Sequence, residues 1–131
     1  MLFRSKRTGL AVSDPLQLIA GGLGTVATHE LYDYLTQYVA REQVERIVIG
    51  EPRQPNGQPS ENLARVQQFV NRWRKQRPDI PIEYYDERFT SVLAHQAMLD
   101  AGLKKKARQD KALVDEVSAT IILEDYLRSR K

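Results

Sequence analysis

The chain is predicted to fold as one α/β domain, a mixed sheet covered by helices. Three observations carry that prediction. An apolar hairpin opens the chain, two short strand-like runs follow it, and amphipathic helical stretches separate and succeed those runs. At 131 residues there is length for one sizeable core but not for two.

Taken in order, Thr8 to Ser13 is a short apolar run closed by Asp14-Pro15, a turn signal. Leu16 to Val26 places Leu18, Ile19, Leu23 and Val26 around three Gly and reads as the second strand of an antiparallel hairpin. Thr28 reads as a helix N-cap, with Leu31, Tyr34, Leu35, Tyr38 and Val39 at helical spacing behind it. Val44 to Gly50 is a β-branched run ending in Gly, the pattern of a buried parallel strand. Glu51 to Ser60 holds three Pro and one Gly and is a loop at that strand's carboxyl end. Glu61 to Arg77 is amphipathic, with Leu63, Val66, Phe69, Val70 and Trp73 on one face. Pro78 and Pro81 bracket its stop, and Ile82 to Tyr85 forms the next strand. Val92 to Leu103 is a helix with Gly102 as its stop, and Lys111 to about Arg128 is the last helix.

Composition excludes several classes. There is no Cys, which removes disulfides and thiolate metal sites, and two His give no basis for a zinc centre. No apolar run is long enough to cross a bilayer and the amino terminus lacks a signal-peptide pattern, so a cytoplasmic address and no membrane partner are expected. A net charge of +3 is too small to indicate nucleic acid by itself. Its distribution says more. Lys104, Lys105, Lys106, Arg108 and Lys111 crowd one loop that lies between two acidic elements, which favours phosphate contact. Arg72, Arg74, Lys75 and Arg77 crowd one helix end around Trp73; there Trp73 reads as core and its basic neighbours as solvated surface.

The acidic elements are the chemistry-bearing ones. Asp86-Glu87-Arg88 sits on the turn leaving a strand's carboxyl end, where open α/β sheets place their ligands. Asp115 lies among small and apolar residues between Ala112 and Leu123, and an acid on such a face is costly to bury unless its charge is compensated. Two carboxylates so placed point to a divalent-metal phosphodiester site, which usually needs a third. The plain alternatives are an ion-paired helix start for Asp86-Glu87-Arg88 and a dipole-stabilised first-turn acid for Asp115. His29 and His95 are isolated and read as surface.

Four motifs together resemble the YqgF-type family, RNase H-like proteins described as Holliday junction resolvases and as nucleases maturing the 5′ end of small-subunit ribosomal RNA precursors. They are Lys6-Arg7-Thr8-Gly9 with Val12-Ser13-Asp14; Ile47-Val48-Ile49-Gly50 with Pro52 and Asn56-Gly57; Asp86-Glu87-Arg88 with Thr90-Ser91; and Asp115 with Ser118-Ala119 and Ile121-Ile122-Leu123. The resemblance implies an RNase H-like fold with three catalytic acids. Glu87 and Asp115 match two of them, as ligands of Mg2+ or Mn2+. The third belongs to an opening strand of the form apolar-Asp-aromatic-Gly-any-Lys. Here Leu2 falls on the Asp and Arg4 on the Gly, so that strand and its acid are expected to be missing and the metal weakly held. The apolar Met1-Leu2-Phe3 fills at most a fragment of the strand's place. Met1 to Ser5 is expected not to be native, with a start upstream that carries the Asp; a natural variant is the alternative. Glu51 also departs from a usually apolar position.

The resemblance further implies nucleic-acid contacts by Lys6, Arg7, Arg88, Lys104, Lys105, Lys106 and Arg108, with Asp86, Thr90, Asn56 and Gly57 in support. The expected function is metal-dependent phosphodiester hydrolysis in structured nucleic acid, either 5′-end maturation of pre-16S rRNA or Holliday junction resolution, impaired in this chain. The alternative is a non-catalytic nucleic-acid-binding module using the same basic surface. A third reading has an open sheet edge accept a strand from another chain. The sequence leaves the oligomeric state undefined.

Overall fold

The structure, a computed structural model, describes residues 1–3, 6–14, 20–51, 62–86, 90–102 and 110–129, with the side chains of 90–92 left out. Its strands are β1 (Leu2–Phe3), β2 (Arg7–Ser13), β3 (Ala20–Ala27), β4 (Ile47–Glu51) and β5 (Ile82–Asp86). Its helices are α1 (Leu31–Arg41), α2 (Leu63–Gln76), α3 (Thr90–Asp100) and α4 (Lys111–Ser129). β1, β2 and β3 form an antiparallel ladder, and β4 pairs with β5 in parallel.

Two backbone hydrogen bonds at Met1 join these sheets. Met1 N donates to the Val48 carbonyl at 2.6 Å, and Gly50 N donates to the Met1 carbonyl at 2.9 Å. Residue 1 is thereby bonded on both sides of Ile49, the slanted pattern of a parallel pair. The strands run in the spatial order β3-β2-β1-β4-β5, the mixed sheet of an RNase H-like fold. The first strand, whose sequence pattern is lacking, survives as a short piece: Leu2 pairs with Gly9 and Phe3 with Thr8. Met1, Leu2 and Phe3 are all buried.

Strand alternation assigns each side chain to a layer. Met1, Phe3, Leu10, Ile47, Ile49 and Ile82 meet Leu31 and Leu35 of α1 and Val66, Val70 and Trp73 of α2. Leu2 and Val48 face the other way, against Ala119, Ile122, Tyr126 and Leu127 of α4. α3 covers the start of α4 through Ala94, Met98 and Val114. Trp73 is the core residue its spacing predicts, fully buried with Nε1 donating to the Ile80 carbonyl at 3.1 Å.

The second hairpin strand is described over Ala20–Ala27; residues 15–19, where its expected start at Leu16 falls, lie outside the described part. The structure differs from expectation at the start of α1. Thr28 is not the N-cap of α1. Thr28–Glu30 form a 3-10 turn, and Leu31 begins the helix with no side-chain cap. The Thr28 hydroxyl instead shares a 2.9 Å hydrogen bond with that of Thr8, which is fully buried and needs a partner. Gly102 is the predicted stop of α3, at a φ of +77° that suits glycine.

Candidate active site

α4 is the element that sets the site. Asp110 caps its start: Oδ1 accepts from the backbone N–H of Ala112 at 3.0 Å and of Leu113 at 3.4 Å. From there the helix lies close over β2 and β3, pinned by Thr25 Oγ1 donating to the Ala112 carbonyl at 2.9 Å. The approach is so close that a side chain at Gly9 would collide with the backbone carbonyl of Asp115. At Gly22 it would collide with the Glu116 side chain. The Gly of the Lys6-Arg7-Thr8-Gly9 motif is therefore a packing requirement, and it delivers Asp115 onto the sheet.

Asp115 is 6% exposed. Its Oδ2 accepts a 2.7 Å hydrogen bond from Nε of Arg7, an ion pair whose side chains are 32% and 8% exposed respectively. Arg7 shares its face of β2 with Gly9, two residues on, and Leu2 is the partner of Gly9 in the ladder. So Leu2, Arg7 and Asp115 belong to one layer between the sheet and α4. Ser118, one turn after Asp115, is also fully buried, and its hydroxyl has no hydrogen-bond partner among the described residues.

The predicted site residues divide as follows. Asp115 is buried on the sheet, where an acid needs compensation. Arg7, expected on phosphate, is engaged with Asp115. Lys6 is exposed at the start of the same strand, and Lys111 is exposed at the start of α4. Asp86 is exposed at the end of β5, in register with Glu51 at the end of β4. By alternation from Tyr84, which packs with the α1 and α2 core, Asp86 projects on the side away from α4. Burial pushes the Tyr84 and Tyr85 phenols up. Glu51 pushes Tyr84 the same way against the pull of Arg74, and Asp125 and Asp86 push Tyr85. Glu87, Arg88, Lys104, Lys105, Lys106, Arg108, Asn56 and Gly57 lie outside the described residues, as does the side chain of Thr90.

Among the described residues no three of His, Cys, Asp and Glu converge as a metal site would require. Asp115 supplies a carboxylate, but Arg7 already provides a countercharge for it. The described donor set alone does not amount to a site for Mg2+ or Mn2+.

Two features were not read from the sequence. Asp110 carried a signal, an acid directly before a helical run. The Arg7–Asp115 pair carried none, because its members are 108 residues apart.

A profile of the RuvX family, described as Holliday junction resolvase, matches residues 3–129. A protein of Phocaeicola vulgatus is 64% identical over 129 residues, covering 98% of this chain and 93% of its own length. One of Flavobacterium johnsoniae is 53% identical over 129 residues, covering 98% and 94%. One of Porphyromonas gingivalis is 56% identical over 122 residues, covering 93% and 88%. All three relatives carry the name "Putative pre-16S rRNA nuclease".

Proposed function

Since the chain belongs to the RuvX family of nucleases, we propose that it hydrolyses phosphodiester bonds in structured nucleic acid, and that its substrate is the 5′ end of pre-16S rRNA. The names of its relatives favour that substrate over a branched DNA junction. The observation that carries the reading is Asp115. A carboxylate held at 6% exposure between a helix and a sheet is an expensive feature for stability alone. A phosphodiester site uses such an acid.

In this reading Asp115 and Glu87 are ligands for Mg2+ or Mn2+, and the activity depends on that ion. Lys6, Lys104, Lys105, Lys106 and Arg108 meet phosphates around it, with Arg88 beside Glu87, and the proposed address is cytoplasmic. Leu2 occupies the layer where the resemblance places the third acid, so catalysis by this chain is impaired.

A 5′-labelled RNA spanning the leader and the mature 5′ end of 16S rRNA, incubated with Mg2+ or Mn2+, tests the reading. Slow metal-dependent cleavage, abolished in Asp115→Asn and in Glu87→Gln, is expected. Cleavage that proceeds in EDTA, or that neither substitution changes, contradicts it.

The rival reading is a binding module without catalysis, favoured by Arg7 already neutralising Asp115. It predicts RNA binding that needs no divalent ion and weakens steeply with salt, together with no metal-dependent product.

A further inference from the structure

Helix α2 presents a surface that the proposed site does not use. From Leu63 to Arg77 the chain holds Arg65, Arg72, Arg74, Lys75 and Arg77 and no acid. The inner face is taken up by the core, with Leu63, Val66, Val70 and Trp73 buried. Arg65, Gln68, Asn71, Arg72 and Lys75 are exposed. Helical spacing sets Arg65, Gln68, Arg72 and Lys75 in one stripe, about 15 Å long at 1.5 Å per residue.

A helix face that is merely solvated usually mixes signs and gains from pairs three or four residues apart. This one does the opposite. Arg72 and Lys75 are like charges three apart, and among the described residues no ion pair relieves any of the five. Arg74 is occupied inward, donating to the Ile82 carbonyl at 2.9 Å. Arg72 is held in place, its guanidinium carbon 3.7 Å from the centre of the Tyr32 ring. That ring is itself braced edge-on by Phe69 and Trp73. Stacking uses the flat face of the guanidinium and leaves its N–H edges for an acceptor.

The chemistry of the stripe selects a polyanion. A protein interface of useful affinity is anchored by apolar or aromatic side chains. The large exposed hydrophobics among the described residues are Leu23, Leu93 and Leu99, none of them on α2. Cations, amides and an ordered Arg in a row fit a phosphate backbone, which asks for charge and N–H donors without sequence readout. α2 packs on the face of the sheet opposite α4, so this stripe lies on the other side of the molecule from Asp115.

We propose that the outer face of α2 is a second nucleic-acid surface, in which Arg65, Arg72 and Lys75, with Gln68 and Asn71, hold the phosphate backbone of a structured RNA away from the bond to be cut. The proposal rests on the reading of the chain as an RNA nuclease. A substrate that reaches this stripe must be large enough to wrap the sheet edge, so a short oligonucleotide bound at Asp115 would not engage it.

The test is fluorescence anisotropy with a labelled RNA stem-loop bearing a single-stranded 5′ extension, in EDTA, across a salt series. Three proteins are compared: the unaltered chain, Arg65→Gln/Lys75→Gln, and the charge-matched control Arg41→Gln/Arg128→Gln. All four positions are exposed, and matching thermal melts check that each protein is folded. The α2 variant is expected to bind about 10-fold more weakly and to lose between one and two from the slope of log K on log salt, while the control keeps both. Equal weakening of both variants would reduce the stripe to net charge and overturn the proposal. Unchanged RNA binding by the α2 variant would overturn it too, leaving the stripe to an acidic protein partner. If the unaltered chain binds no RNA, the RNA-nuclease reading itself falls and this proposal with it.

Discussion

Asp115 and Arg7 form the ion pair at the proposed site, and a double-mutant cycle isolates their energetics. The Asp115 side chain is almost wholly buried, while the Arg7 side chain is about a third exposed. Removing Arg7 alone takes a countercharge from a buried carboxylate; removing both charges leaves a polar group that costs less. A double-mutant cycle of Arg7→Ala and Asp115→Asn in urea melts is expected to give a coupling of about 2 kcal/mol. Additive effects would show that the pair contributes nothing beyond its parts. Gly9 acts at the same scale. Its missing side chain lets α4 approach, so Gly9→Ala is expected to destabilise the fold by about 3 kcal/mol through overpacking against backbone that cannot yield. A melt within error of the unaltered chain would contradict that. The glycine was legible in the sequence as part of a motif, but not its reason, since the clash is with a residue more than 100 positions away.

At the scale of elements, α4 is fixed at both ends. Asp110 caps its start. Near its end the Tyr126 hydroxyl donates to Glu83 Oε2 at 2.6 Å and accepts from Arg46 Nη1 at 2.9 Å. Arg46 also meets Glu83 at 2.7 Å, so one triad ties α4 to the starts of β4 and β5. Tyr126→Phe is expected to cost about 1.5 kcal/mol in chemical denaturation, and Asp110→Ala about 1 kcal/mol. No change in either would mean that the helix is held by its apolar face alone. Most elements were legible because their signals are local: the period of Leu63, Val66, Val70 and Trp73, the β-branched run at Ile47, the stop at Gly102. Thr28 misled because its hydroxyl has a tertiary partner, Thr8, that no local rule weighs. β1 was illegible as a strand since two residues carry no period. Its placement comes from two neighbours that each need a ladder partner.

At the scale of the whole molecule, the sheet order places Leu2 at the centre, between β2 and β4, facing α4, the helix that carries Asp115. That arrangement is the geometric basis of the proposed function, in which the layer between sheet and α4 would be an acidic nuclease site with an apolar residue in its third position. The fold was readable from the succession of elements. The site was readable only in part, because Asp115 gains its partner Arg7 only through tertiary packing.

Leu2→Asp is the most direct measurement, followed by thermal melts and by cleavage of the pre-16S RNA, each with and without Mg2+. Without metal, an acid at this fully buried position is expected to destabilise the chain by about 3 kcal/mol. Millimolar Mg2+ is expected to recover most of that loss, since an ion that binds only the folded state stabilises it. Cleavage should rise at least 100-fold over the unaltered chain and vanish again on Asp115→Asn. A variant that is destabilised but indifferent to Mg2+, or an unaltered chain that already cleaves as fast, would contradict the claim.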